Sequence, residues 1–262
     1  MTTLTPRDRA RQIGVTLAEV LCVLGTLMGV GVLGTRVEES SGGALAADAT
    51  LLAPAGPAFS IWSVVYVGLA AYTVWQWLPV NAVTDRTRRS GWLVAVSMLL
   101  NAAWLLVTQQ GWIWVSVVVI GALMVVLGLV LAALAAHQPR TTAERIVVDG
   151  TIGLYAGWVA VATCANVAAA LVDSGVEVAS PAADWIGVAV LVVAVGVAWL
   201  LARRVGGRLA VGAAMAWGLA WIGVGRLADD PGSVIVGIAA VLAALAVVAV
   251  VLVHRSTHAA AA

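Results

Sequence analysis

Long apolar segments, separated by shorter polar ones, recur along the whole chain. Each segment is continuously rich in Leu, Ala and Val rather than alternating in polarity, which indicates helices and not the strands of a membrane barrel. A helix needs about 20 apolar residues to cross a bilayer core roughly 30 Å thick. The segments that approach or exceed this length are residues 13–35, 58–79, 91–109, 112–136, 146–172, 184–202, 208–226 and 232–253. The pattern predicts an all-α polytopic integral membrane bundle of about eight transmembrane helices.

The basic residues are all arginines, and they are concentrated in alternate connections. Of 14 arginines, only Arg36 and Arg226 lie in the first, third, fifth and seventh connections, where most of the acidic residues fall. The positive-inside rule then places both termini in the cytoplasm, which requires an even number of spans. We therefore expect a protein integral to the plasma membrane with eight spans.

Composition excludes several function classes. Hydrophobic residues make up 62% of the chain and charged residues 10%, and no basic stripe with interleaved aromatics indicates a nucleic-acid partner. Cys22 and Cys164 lie in mid-span and are interpreted as buried thiols rather than a disulfide or metal site. The chain shows no His/Cys/carboxylate cluster with ligand spacing and no nucleophile pair within the spans, so we predict no metal, no required cofactor and no catalytic residues. The histidines, all at predicted cytoplasmic ends, are His137, His254 and His258.

Aromatic and polar side chains share a face on three of the predicted helices. Two interpretations stay open: a pocket for a flat apolar ligand with a few polar handles, or helix–helix packing. Tryptophans close to span ends are instead expected in the interfacial belt, namely Trp77, Trp92, Trp112, Trp114, Trp185 and Trp221. The stripes are Phe59, Trp62, Tyr66, Thr73 and Trp77 on span two, with Trp75 opposite; Ser97, Asn101, Trp104 and Thr108 on span three; and Tyr155, Trp158, Ala162 and Asn166 on span five.

The longest connection and two intramembrane acids each allow two interpretations. Residues 37–56 form a Gly-rich acidic loop that is either a lid or a passive linker. Glu19 and Asp149 lie inside predicted spans, where each is either an interfacial carboxylate paired with an arginine such as Arg11 or Arg145, or part of a proton or ion relay.

Three motifs, in matching order, resemble the TspO/MBR family of tryptophan-rich sensory proteins, which are related to the mitochondrial translocator protein. The resemblance covers about residues 13–173. The motifs are Pro54-Ala55-Gly56-Pro57-Ala58-Phe59-Ser60-Ile61-Trp62 followed by Tyr66; Leu100-Asn101-Ala102-Ala103-Trp104; and Tyr155-Ala156-Gly157-Trp158 with Ala162-Thr163 and Asn166.

The resemblance implies a five-helix unit at residues 1–175, with a pocket that is capped by the first connection and binds tetrapyrroles such as protoporphyrin IX. Residues 176–262 would add three transmembrane helices and a short cytoplasmic tail, for packing or oligomerisation. The implied function is a membrane receptor or sensor whose partners are the lipid bilayer, a planar apolar ligand and possible copies of itself. The alternatives are a transporter or permease-like component and a porphyrin-degrading enzyme. The implied ligand-binding residues are Phe59, Trp62, Tyr66, Asn101, Trp104, Tyr155, Trp158, Ala162 and Asn166.

Overall fold

The computed structural model describes residues 3–29 and 31–260, with side chains described up to residue 256. Eight helices in this part of the chain are long and apolar enough to cross a membrane, and the same residues contain no strand. The expected all-α membrane bundle is therefore confirmed. The helices are α1 (Pro6–Gly29), α2 (Ile61–Trp75), α3 (Asp85–Gln109), α4 (Ile113–Ala135), α5 (Thr151–Asp173), α6 (Ala182–Val205), α7 (Leu209–Ala228) and α8 (Val234–Ala260).

The first helix is shifted toward the N-terminus relative to its predicted span. It begins at Pro6 and not at residue 13, and it ends at Gly29 and not at residue 35. It begins at Pro6 because Thr5 and Asp8 form a reciprocal cap: the Thr5 amide donates to Asp8 Oδ2 at 3.0 Å, and the Asp8 amide donates to Thr5 Oγ1 at 3.3 Å. It ends at Gly29 because the chain then turns through Gly31, whose φ of 79° lies in the left-handed region. Capping and turn geometry thus set the ends, which hydropathy alone does not register.

The fifth predicted span is not a single regular helix. A turn of α-helix at Thr142–Glu144 is followed by a π-helical turn at Arg145–Gly150, and α5 begins only at Thr151. Such π-turns within helices frequently mark functional positions. Here Asp149 lies in the π-helical turn, and its carboxylate contacts Arg86 and Arg208 from two other segments.

Ion pairs tie the helix ends together on the side where the arginines are concentrated. Arg86, which is 4% exposed, pairs with Glu144 at 2.8 Å and with Asp149 at 2.7 Å, and Asp149 also pairs with Arg208. This network joins the beginnings of α3 and α7 to the turn before α5. Asp149 is thus an arginine-paired carboxylate, as the first interpretation has it, but its partners are Arg86 and Arg208 and not Arg145.

The other intramembrane acid has no such partner. Arg11 pairs with Asp8 at 3.0 Å and donates to the Ala82 carbonyl at 2.6 Å, so its guanidinium has other partners than Glu19. Within the described residues no ion pair involves Glu19, which is only 7% exposed. The paired-carboxylate interpretation therefore does not hold for Glu19, and the relay alternative stays a prediction.

One large hydrophobic core cluster includes residues from all eight helices. α1 packs on α3, α3 on α4, α4 on α5, α5 on α7, α7 on α8 and α8 on α6, while α2 lies against α1 and α5. The buried cluster accordingly includes Val15 of α1, Val65 of α2 and Tyr155 of α5, together with Met215 of α7 and Val236 of α8. The division at residue 175 stays a prediction, but the core is continuous across it.

Candidate functional site

Five aromatic side chains from three segments form a continuous wall inside the bundle. Trp62 and Tyr66 stack with ring centroids 5.3 Å apart, and Trp62 meets Tyr155 at 5.9 Å and Trp158 at 6.2 Å in edge-to-face geometry. Phe59 meets Trp158 at 5.8 Å, also edge to face. The sequence produces this because a 3-10 turn, Gly56–Ser60, leads directly into α2 and puts Phe59 just before Trp62. These arrangements are the favourable ones for aromatic pairs.

Two clefts flank the wall and share Val37, Phe59 and Trp62. The large cleft, of about 320 Å³, lies between α1, α2 and the start of the loop; its other lining residues are Thr26, Gly29, Arg36, Glu38, Ser63, Tyr66 and Leu105. The small cleft, of about 40 Å³, lies between the loop, α3 and α5; its other lining residues include Ala44, Leu45, Pro54, Trp104, Trp158, Ala162 and Asn166. The shared residues make the wall a partition between two adjoining spaces.

A few buried polar groups are fixed around the clefts. Trp104 Nε1 donates to Asn166 Oδ1 at 2.8 Å, and Asn166 Nδ2 donates to Ser116 Oγ at 2.9 Å. Asn101 Nδ2 donates to the Tyr66 hydroxyl at 3.2 Å, which holds one edge of the large cleft. The indole N–H of Trp158 has no hydrogen-bond partner although the side chain is only 1% exposed. Buried donors are rarely left in this state, so a ligand acceptor at this point would gain a full hydrogen bond.

The nine predicted site residues all lie at or next to the clefts, but not all of them line a cleft. Seven line a cleft, whereas Asn101 and Tyr155 lie behind it: Asn101 orients Tyr66, and the Tyr155 hydroxyl donates to the Ser97 carbonyl at 3.1 Å. Whether these residues bind a ligand stays a prediction. The seven are Phe59, Trp62, Tyr66, Trp104, Trp158, Ala162 and Asn166.

The predicted stripe on span two extends less far than its spacing suggests. Trp77 lies beyond the end of α2, where its indole donates to Thr16 Oγ1 at 3.0 Å and the guanidinium of Arg9 lies 5.2 Å from the ring centroid. Trp75, expected on the opposite face, is buried and stacked on Tyr72 at 6.2 Å. Only Phe59, Trp62 and Tyr66 of that stripe therefore line the clefts, because Trp77 lies beyond the helix and Thr73, within it, lies outside both clefts.

The long loop covers the small cleft and is held there by α7. Arg226 donates to the carbonyls of Thr50 at 2.8 Å and Ala47 at 3.0 Å, and the Ala55 amide donates to the Trp221 carbonyl at 3.2 Å. Trp217 Nε1 donates to the Ala58 carbonyl at 3.0 Å. The loop thus covers the small cleft, and its action as a lid stays a prediction.

Sequence reasoning missed these anchors on α7. Trp221 was assigned to the interfacial belt, but it packs against the cluster that contains Ala58 and Trp158. Arg226 was counted only as a loop charge, although an arginine at the end of an apolar segment needs acceptors inside the protein. That signal could have indicated Arg226 as a structural anchor, but not which loop it holds.

Together the fold and the clefts define a class: a polytopic helical membrane protein with an aromatic-walled interior site beneath an anchored loop. The chain belongs to the TSPO-like protein family, whose model matches residues 16–253 and so extends from α1 into α8. The predicted family resemblance is thereby confirmed, and the match continues through the three additional helices. No curated protein and no solved structure matches the chain significantly.

Proposed function

We propose that this protein is a membrane receptor or sensor that binds a tetrapyrrole, or a similar planar apolar ligand, in the two clefts. The observation that carries the proposal is the aromatic wall between the clefts. Three of its members, Phe59, Trp62 and Trp158, line the small cleft with flat aromatic surface. Flat aromatic surfaces with a few fixed polar groups are the usual lining of sites for planar ligands.

The size of the site limits how such a ligand enters. Ligand sites commonly have volumes of about 300–1,000 Å³. The large cleft, at about 320 Å³, is at the lower end, and the small cleft is far below it. A macrocycle would therefore need both spaces, which Val37, Phe59 and Trp62 separate, and these side chains would have to move to admit it. The unpartnered Trp158 N–H would then be available as a polar handle.

The experiment is a titration of the detergent-solubilised full chain with protoporphyrin IX, following Trp fluorescence quenching and the Soret band together. We expect saturable binding that Trp158→Leu weakens at least tenfold, which is about 1.4 kcal/mol or more of binding free energy. The matched control is Trp185→Leu, which removes an indole from an exposed position on α6 and should leave binding unchanged.

Two results would contradict the proposal. One is the absence of saturable binding by a folded, monodisperse wild-type protein. The other is equal binding by wild type and a folded Trp158→Leu variant, which would place the ligand outside the clefts. A proteoliposome flux assay with the same porphyrin then tests the alternative, a transporter or permease-like component.

A further inference from the structure

Glu19 is a buried acid in the middle of a membrane helix without a compensating charge. It is 7% exposed, and its Oε2 has no hydrogen-bond partner. An unpaired carboxylate in such surroundings is energetically costly, and neutralisation by a proton removes most of that cost. A position of this kind in a membrane helix indicates a functional site and not a packing residue.

Glu19 belongs to a polar seam, which we define as Gln12, Glu19, Cys22 and Thr26 of α1, Tyr66 and Thr73 of α2, Gln76 directly after α2, and Asn101 of α3. The α1 members are spaced by seven, three and four residues, so they lie on one face of the helix. At about 1.5 Å per residue, Glu19 lies roughly 10 Å from both Gln12 and Thr26 along the axis. It is therefore near the middle of the seam.

The two ends of the seam differ. At one end Gln12 and Gln76 close it, because each side-chain amide donates to the other residue's backbone carbonyl, at 2.9 and 3.1 Å. At the other end Thr26 and Tyr66 both line the large cleft. The seam is thus sealed by a pair of glutamines on the side of the helix ends that carry the arginines, and it is open to the large cleft on the other side.

Unpartnered polar atoms recur along this seam. Besides Glu19 Oε2, the buried atoms Thr73 Oγ1, Gln76 Oε1 and Asn101 Oδ1 have no hydrogen-bond partner. Asn101 Nδ2 meanwhile contacts both Cys22 Sγ at 3.5 Å and the Tyr66 hydroxyl at 3.2 Å. Polar groups therefore connect the turn of Glu19 to the large cleft, and several of them retain hydrogen-bonding capacity for water.

We propose that Glu19 is a proton-binding site inside the bundle, and that its proton exchanges with the large cleft along the part of the seam lined by Cys22, Asn101 and Tyr66. On release, the carboxyl O–H bond breaks, the proton passes to water as hydronium, and Glu19 remains as a carboxylate. Uptake reverses the step. The site does not depend on which ligand the clefts bind.

Other ionisable groups near Glu19 do not supply a charge for it. On α1 these are Cys22, one turn away, and Asp8 and Arg11, which pair with each other. The tyrosines facing this region are Tyr66 and Tyr72 of α2 and Tyr155 of α5. Between Arg89 and its last residue, α3 carries no ionisable side chain. Glu19 is therefore the carboxyl group in this region that has no ion-pair partner, and binding of a proton would change its charge from −1 to 0.

The test is infrared spectroscopy of the full chain in lipid bilayers, reading the C=O stretch of protonated carboxyl groups at neutral pH. We expect one such band in the wild type, absent from Glu19→Gln, that shifts to lower frequency when the sample is transferred to D2O. Glu39→Gln, which removes an exposed loop acid, is the matched control and should retain the band.

A band unchanged in Glu19→Gln, or one that does not shift in D2O, overturns the proposal. If Glu19→Gln does not fold, Glu19→Asp provides the test instead. The frequency of the carboxyl band should change in that variant, and an unchanged frequency refutes the assignment to Glu19. Tyr66→Phe tests the route, because losing the hydroxyl at the cleft should slow the D2O shift several-fold. An unaltered rate in that variant refutes exchange along the seam.

Discussion

The indole groups of three tryptophans show how burial decides the role of one residue type. Trp104, 6% exposed, donates its N–H to Asn166 inside the bundle at 2.8 Å. Trp114, 48% exposed, donates to Ser174 Oγ at the same distance but at the periphery. Trp158 is buried without a partner. The free-energy cost of losing the N–H should therefore differ between Trp104 and Trp114, although the two bonds have equal length.

A matched pair of substitutions measures that difference. We expect Trp104→Phe to lower the free energy of unfolding by about 1–3 kcal/mol, because a buried bond and packing volume are both lost. Trp114→Phe should change it by less than about 0.5 kcal/mol. Thermal unfolding in detergent, followed by circular dichroism, provides the comparison. Equal losses for the two variants would mean that the Trp104–Asn166 bond has no special stabilising role.

At the scale of elements, the contact between α5 and α7 depends on the absence of side chains. A Cβ atom added to Gly157 would meet the carbonyl oxygen of Val211 and lie 2.9 Å from Ala214 Cβ. One added to Gly153 would lie 2.7 Å from Ala210 Cβ. Small residues allow helix backbones to approach closely in a membrane, and the glycines of α5 therefore determine where α7 can pack.

Gly157→Ala should separate these helices and lower stability by about 1–3 kcal/mol, the usual cost of overpacking. Gly121→Ala on α4 is the matched control, because no atom lies within 4 Å of the added Cβ. It should be neutral or stabilise the helix by up to about 1 kcal/mol. Melting temperatures of the two variants in one detergent check the prediction, which a stable Gly157→Ala would contradict.

The anchored loop is the other element-scale feature with a measurable consequence. Arg226→Gln removes both guanidinium donors to the carbonyls of Thr50 and Ala47. Amide hydrogen exchange of residues 44–55 should then accelerate, since the loop loses two anchors to α7 and opens more often. Arg36→Gln, at an exposed loop position, serves as the control and should leave that exchange unchanged. Equal exchange in wild type and Arg226→Gln would show that the loop is held without this arginine.

For the whole molecule, the continuous core predicts that the first five helices do not stand alone. Deletion of residues 176–262 would expose the face of α5 around Gly157 and would remove every α7 anchor of the loop. We expect the remaining chain to aggregate in mild detergent, as measured by size-exclusion chromatography beside the full chain. A monodisperse, helical five-helix fragment would instead establish residues 1–175 as an independent unit.

The site could be predicted only in part from its residues. The three motifs identified the aromatic and amide side chains that now line or support the clefts, because spacing along a helix determines which side chains share a face. Spacing does not show where a helix ends, and Trp77 lies beyond α2 although the stripe included it. It also does not show how far a cleft extends along a helix, and Thr73, which lies within α2, lines neither cleft. Nor does it show contacts between distant segments such as Trp217 and Ala58, which are 159 residues apart.

The sequence by itself determined the membrane class, the eight helices, the family and the set of aromatic residues near the clefts. These depend on local hydropathy and periodicity, which the bilayer converts directly into spanning helices. Only the tertiary structure decided which arginines pair with Asp149, that Glu19 has no ion-pair partner, and that α7 holds the loop. Those outcomes depend on the distances between residues far apart in the chain, and packing of all the helices sets those distances together.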